Sequence, residues 1–112
     1  MSDVADTAAG FVRLIVDGNT EDAHELLADR TAADIAASEL KANFDALSEE
    51  MGGVTGVGQP MVISEDWPHK TENDVAIVYV PLEGDVFSEA ITVTVSTEND
   101  DFRISAIEWG RP

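Results

Sequence analysis

The chain of 112 residues is long enough for one domain, residues 1–112, with one hydrophobic core. Its 23 acidic and 6 basic residues give a net charge of -17, and cysteine is absent. These numbers exclude disulfides, thiolate catalysis and zinc–sulfur sites, and the scattered Lys and Arg argue against nucleic-acid binding. An acidic surface poor in lysine is typical of proteins that work in molar salt. The alternative is a mesophilic protein with an acidic face for a basic partner.

Three short amphipathic helices are predicted before residue 54. In the first helix Ser2 is the candidate N-cap, and Gly18 is a natural left-handed stop. The apolar residues of this helix step by four, three and four, which places one stripe toward a core: Val4, Ala8, Phe11 and Ile15, widened by Val12.

The second and third helices are recognised by their caps and their apolar sides. Thr20 is expected to cap a helix that ends near Asp29, and the small residues 31–37 suggest one loose turn. Ser38 is the candidate cap of the third helix, and Gly52 with Gly53 stops it. Its apolar stripe again steps by four, three and four: Leu40, Phe44, Leu47 and Met51.

The rest of the chain predicts an antiparallel sheet of four strands. The first strand starts at Met61, after a flexible or bulged segment at residues 54–59. The others cover residues 75–80, 91–95 and 102–109, which are rich in β-branched and aromatic side chains. Pro81 is expected to close its strand, because proline cannot donate to the strand ladder. The predicted class is α+β, with three N-terminal helices packed on a curved four-stranded antiparallel sheet.

Alternation along the strands predicts which faces are covered. Ile91, Val93 and Val95 point to one side, and threonines and Ser96 point to the other. Residues 75–80 are apolar on both sides, so this strand needs cover on both faces. We expect a homodimer built on the sheet, whereas a monomer with a strongly curled sheet is the alternative.

The helical spacing resembles a known family. The pattern Phe11-x-x-Leu14-x-x-x-Gly18-x-x-Glu21-x-Ala23-x-x-Leu26-Leu27, then Ser38-x-x-Lys41-x-x-Phe44-x-x-Leu47 and Gly52-Gly53, is similar to nuclear-transport-factor-2-like domains, also called cystatin-like or SnoaL-like. An uncharacterised bacterial and archaeal group within that superfamily is the most similar, although it usually has Trp where Phe44 stands. The resemblance covers about nine-tenths of the chain and rests on packing residues.

The resemblance implies a cone-shaped fold, in which a curved sheet wraps around a long helix and leaves a pocket at the open end. Some members of this superfamily are isomerases, dehydratases, epoxide hydrolases or polyketide cyclases, and others only bind. The enzymes use an Asp or His base and a Tyr or Asp donor inside the cone. The fold by itself therefore does not select a reaction.

The candidate catalytic residues are Glu108, Asp17 and Tyr79. Glu108 shares a strand face with Phe102 and Ile104 if the strand is regular, but a bulge would turn it outward. Asp17 fits a helix-end turn, and Tyr79 fits a core or interface aromatic. Both histidines, His24 and His69, are expected on the surface.

Metal, cofactor and membrane signals are weak. Asp100 and Asp101 lie in an acidic turn without the register of a calcium loop, so neither a metal nor a cofactor is expected. The start of the chain has no signal-peptide pattern, which predicts a cytoplasmic protein unless a leader has been removed. The leading hypothesis is a non-enzymatic domain that binds a small apolar ligand or a protein partner. The alternative is a small isomerase or cyclase that uses Glu108 or Asp17 with Tyr79.

Overall fold

The computed structural model describes residues 4–110 and contains helices followed by an antiparallel sheet. The helices are α1 (Val4–Val16), α2 (Thr20–His24), α3 (Asp29–Asp34) and α4 (Ala37–Met51). The strands are β1 (Val54–Val57), β2 (Met61–Ser64), β3 (Asp74–Gly84), β4 (Glu89–Glu98) and β5 (Asp101–Trp109). The α+β class is confirmed, with four helices and five strands in place of three and four. None of the described helices is long and apolar enough to cross a membrane.

Helix α1 follows the predicted pattern. Ala8, Phe11, Val12 and Ile15 are buried, and Val4 packs against the same cluster. The helix ends before Gly18, which has φ +86. The proposed cap at Ser2 lies outside the described residues.

The segment after α2 differs from the sequence prediction. The helix stops at His24, a turn follows at Glu25 and Leu26, and Leu27 forms a parallel bridge with Ile104 at the free edge of β5. There the Ile104 amide donates to the Leu26 carbonyl at 2.8 Å, and the Ala28 amide donates to the Ile104 carbonyl at 2.9 Å. Pairing with a distant strand therefore overrides the local helical spacing and covers part of the sheet edge.

Helix α4 begins earlier than predicted and ends where expected. Its N-cap position is Ala36, and no side chain caps it, so Ser38 is wrong as the cap and lies inside the helix. The C-cap is Gly52 in the left-handed conformation. Lys41 and Asp45 form an i,i+4 ion pair at 2.8 Å on the exposed side of the helix.

The sheet has the order β1–β3–β4–β5, and β2 pairs with β3 on the same side as β1. β1 and β2 thus behave as one strand that is interrupted at residues 58–60. Pro81 does not close β3, as the sequence suggested, but lies inside it and pairs with Ala90. At the interruption only the Pro81 carbonyl is engaged, by the Gly58 amide at 2.8 Å. Proline is tolerated at this position because no residue of β1 or β2 pairs with residue 81, so its lack of a backbone N–H costs no hydrogen bond.

The inner face of the sheet packs against the helices. Its fully buried positions include Val78, Val80 and Leu82 of β3 and Ile91, Val93 and Val95 of β4. The predicted direction of the β4 apolar residues is therefore confirmed. The opposite side of the sheet, which we call the outer face, carries the residues between them.

Strand β5 contains a bulge at Ser105. Ile104 pairs with Val95 while Ala106 pairs with Thr94, so Ser105 is the extra residue. The bulge reverses the alternation, and both Ile104 before it and Ile107 after it contact the core.

Candidate functional site

The interior of the cone is filled by side chains. Phe11 and Ile15 of α1 meet Leu40 and Met51 of α4 over the inner sheet face, and each is at most 1% exposed. Interiors at this density leave little room for a ligand beside the core side chains. The candidate site therefore has to be sought outside the cone.

The β3 side of the outer face is uncharged and only partly covered, whereas Glu108 is exposed on its β5 side. Ile77 and Tyr79 of β3 are half-buried on this face, and Met61 beside Tyr79 is 56% exposed. In β4 the outward-pointing Thr92 is 4% exposed, which contradicts a fully solvated threonine face. In a chain with a net charge of -17, this neutral surface is unusual.

Thr92 stands at the centre of a row across three strands. It pairs with Tyr79 on one side and with Glu108 on the other. A cavity of about 140 Å³ lies beside this row, lined by Ile77, Thr92, Thr94, Ala106, Ile107 and Glu108. The Thr92 hydroxyl is buried and has no hydrogen-bond partner within residues 4–110.

A larger cavity of about 400 Å³ lies between α3, the β2–β3 loop and the outer face of β4 and β5. We call it the loop cleft. Its polar lining comes from four separate parts of the chain: Arg30, Thr31, Trp67, His69, Thr71, Asn73, Asp74, Thr94, Ser96, Thr97, Glu98 and Ser105. It meets the small cavity beside Thr92, because Thr94 and Ala106 line both.

Hydrogen bonds centred on the β5 bulge hold the floor of the loop cleft. The Thr31 hydroxyl donates to the Ser105 carbonyl at 2.9 Å, which ties α3 to the bulge. The Ser105 hydroxyl lies 3.3 Å from Asp74 Oδ1, and the Thr71 amide donates to Asp74 Oδ2 at 3.0 Å. The bulged residue thus joins α3, β5 and the β2–β3 loop.

Other polar groups of the cleft are unused. The side chains of Asn73, Thr94 and Ser96 make no hydrogen bond to another residue in the described range 4–110, although Ser96 is only 4% exposed. Trp67 is half-buried, and the Lys70 ammonium lies 5.6 Å from the centroid of its ring. The cleft therefore offers hydroxyl and amide groups for hydrogen bonds, together with the ring and the N–H group of the Trp67 indole.

Comparison with solved structures identifies the architecture. No family model and no curated protein matches the sequence. The crystal structure of a Campylobacter jejuni protein described as an NTF2-like transpeptidase superposes with a TM-score of 0.62 over 94% of this chain and 99% of that one, at 14% identity. The chain has the nuclear-transport-factor-2-like fold. At this identity the likeness concerns the fold alone.

On this nuclear-transport-factor-2-like frame, the three candidate catalytic residues do not share a cavity. Asp17 is exposed in the turn after α1, whereas Tyr79 and Glu108 lie on the outer face. Glu108 is exposed, because the Ser105 bulge gives the inward positions to Ile107 and Trp109. The cavity that Glu108 lines contains neither Tyr79 nor Asp17.

The histidines have different environments. His69 is exposed at the loop cleft, as expected for a loop histidine. The prediction for His24 is wrong, since it is half-buried and its Nε2 lies 2.7 Å from the Ile35 carbonyl. His24 therefore donates to the segment between α3 and α4, which is a structural role.

The acidic segment between β4 and β5 forms a tight turn. Asn99 and Asp100 both have positive φ, 53 and 68, as in a two-residue type I′ hairpin. Within residues 4–110 no group of three or more His, Asp or Glu side chains is arranged to hold a metal ion.

Sequence reasoning missed the loop cleft. Residues 67–73 are polar and include a proline, a composition that indicates a hairpin connection and not a binding site. The available signal was the single Trp within an otherwise polar loop, because a large aromatic in such a segment usually packs on something.

Proposed function

We propose that this chain is a non-enzymatic binding domain that acts as a homodimer, joined through the outer face of its sheet, in a salt-rich cytoplasm. The observation that carries this proposal is the contrast between the two faces of the sheet. The inner face is closed by the helices, while the outer face presents Ile77 and Tyr79, which the described part of the chain covers only in part.

Charge favours a second copy on this face. A molecule with a net charge of -17 repels its own copies wherever acidic surfaces meet. The outward positions of β3 between Asp74 and Glu83 are uncharged, and so is the neighbouring Thr92 of β4, whereas Glu108 lies on the far side of Thr92 in β5. Two copies can therefore approach through this face with the least repulsion, and molar salt screens the rest.

The filled cone supports a protein partner over an apolar ligand held inside it. Large side chains such as Phe11, Ile15 and Met51 occupy the space that an enclosed ligand would need. The isomerase or cyclase alternative is less favoured, because Asp17 lies in the turn after α1 and Tyr79 does not line the cavity that Glu108 lines.

Sedimentation equilibrium in about 2 M KCl tests the dimer, where electrostatic repulsion is screened. We expect twice the chain mass of 12.0 kDa. Ile77→Asp, which places a charge at the centre of the outer face, is expected to give a folded monomer with an unchanged circular dichroism spectrum. Val86→Asp is the matched control, since Val86 is 70% exposed away from this face. A monomeric wild-type protein up to about 1 mM would contradict the proposal.

A further inference from the structure

We propose that the loop cleft binds a neutral, polyhydroxylated small molecule of the size of a monosaccharide or disaccharide. This site lies outside the cone and borders the proposed dimer face, and its Trp67 and Asn73 belong to the β2–β3 loop and not to that face. Its volume of about 400 Å³ falls within the ordinary range of small-molecule sites, about 300–1,000 Å³.

Unused hydrogen-bonding groups indicate a polar ligand. The side chains of Asn73, Thr94 and Ser96 line the cleft without partners among residues 4–110, and Ser96 is more than nine-tenths buried. Hydroxyl and amide groups both donate and accept, which is the pattern that matches a ligand bearing several hydroxyls. Because these groups make no hydrogen bond within the described chain, a ligand can pair with them without breaking bonds between residues.

Trp67 provides a flat apolar surface at the same place. The Lys70 ammonium lies 5.6 Å from the centroid of the Trp67 ring. The indole also lines the cleft and is half-buried there. An aromatic ring beside hydroxyl-binding groups suits the carbon–hydrogen face of a sugar ring, with the indole N–H as a further donor.

The charges of the lining favour a neutral ligand over an anion or a cation. Arg30 and Glu98 bring opposite charges to the rim, and Asp74 is already occupied by Ser105 and Thr71. An anionic ligand would also have to approach a chain with a net charge of -17. A cationic ligand would also be attracted to acidic groups elsewhere on the surface, so its charge would not direct it to this cleft.

The cleft is preorganised where the ligand would rest. The Thr31 hydroxyl fixes α3 against the Ser105 carbonyl at 2.9 Å. The Thr97 amide donates to the Asn73 carbonyl at 2.9 Å, which holds the end of the loop against β4. These bonds set the separation between the loop and the sheet before a ligand enters, which reduces the ordering cost of binding.

Nuclear magnetic resonance of the full chain, labelled with nitrogen-15, tests the proposal. The probes are four neutral sugars (glucose, galactose, mannose and N-acetylglucosamine), with glucose 6-phosphate and glucosamine as charged counterparts. We expect at least one neutral sugar to shift the Trp67 indole N–H and the Asn73 side-chain amide, with a dissociation constant in the millimolar range. The Trp109 indole, which packs against the core, is expected to stay in place.

Two variants make the test specific. Asn73→Ala removes an exposed side chain that makes no hydrogen bond to another described residue, so we expect the fold to be retained and sugar affinity to fall about tenfold. Asn43→Ala is the matched control, because Asn43 is exposed on α4 and does not line the cleft. Tighter binding of a charged probe than of every neutral sugar would overturn the neutral class. The absence of any Trp67 shift up to about 100 mM sugar would overturn the site itself. Sedimentation is scored separately, so the cleft and the dimer can fail independently.

Discussion

Thr92 of β4 lies directly across from Glu108 of β5, and its hydroxyl is buried with no partner among residues 4–110. On the other side Thr92 pairs with Tyr79 of β3. A buried hydroxyl that has lost its hydrogen bonds to water costs about 1–3 kcal/mol. The unpaired Thr92 hydroxyl therefore destabilises the centre of the outer face. Its neighbours Tyr79 and Glu108 both carry side-chain oxygen atoms.

Replacement of Thr92 by valine is expected to raise the free energy of unfolding by about 1 kcal/mol, because the unpaired hydroxyl disappears and a β-branched shape remains. Urea denaturation at fixed KCl concentration measures the change. Thr94→Val is the matched control, since Thr94 is half-exposed and its side chain lines the open cleft. Lower stability of Thr92→Val would show that the hydroxyl has a partner in solution, and repetition at two protein concentrations would reveal whether a second copy provides it.

Gly84 gives a second prediction, because its missing side chain permits a close approach at the end of β3. A Cβ at this position would overlap the Phe87 carbonyl oxygen and lie 2.8 Å from the Met51 Cβ. We expect Gly84→Ala to lower the free energy of unfolding by about 2 kcal/mol through overpacking. Gly10→Ala is the control, since a Cβ there meets nothing within 4 Å and alanine favours helix α1 by about 0.5–1 kcal/mol. Equal effects of the two substitutions would contradict this packing.

The register after the β5 bulge gives a third prediction. Ile107 packs against the core, whereas its neighbour Ala106 is exposed. Ile107→Asn is expected to cost about 2–3 kcal/mol, and Ala106→Asn less than about 0.5 kcal/mol. Thermal or urea unfolding of the two variants measures the difference. The reverse order would mean that the bulge is absent and that Glu108 faces the core.

Local signals in the sequence were sufficient for α1, for the end of α4 and for the direction of the central strand. The apolar stripe around Phe11 and the left-handed stops at Gly18 and Gly52 follow from the spacing and sterics of adjacent residues. The faces of β4 follow in the same way from the alternation of Val93 with its neighbours. Such features depend on a few consecutive residues, so a single sequence contains them.

Features that depend on distant pairing could not be predicted. Leu27 looked helical by spacing, but it lies in a parallel bridge with Ile104. Pro81 looked like a strand end, but it fits inside β3 because the opposing strand is interrupted. The loop cleft likewise brings Trp67 next to Ser96 only when the β2–β3 loop folds over the sheet. The sequence of β5 is compatible with a regular strand and with a bulged one, and only the pairing register with β4 decides between them.

Salt provides the last prediction, because the net charge of -17 opposes the compact state through repulsion that ions screen. The melting temperature is expected to rise between about 0.1 M and about 2 M KCl, as the screening length falls from about 10 Å to below about 3 Å. A double variant, Glu49→Gln with Glu50→Gln, isolates the electrostatic cause. Both acids are exposed in the last turn of α4, where the helix dipole disfavours negative charge.

The double variant is expected to melt above the wild-type protein at low salt, by an amount equivalent to roughly 0.5–1 kcal/mol, and the difference should shrink in molar KCl. Differential scanning calorimetry of both proteins across the salt series measures this convergence. A melting temperature that does not change with KCl concentration would contradict the hypothesis that the protein is adapted to molar salt. It would leave the acidic surface as a docking face for a basic partner. A rise that is equal in both proteins would instead assign the salt effect to hydrophobic burial, which excluded salts also strengthen.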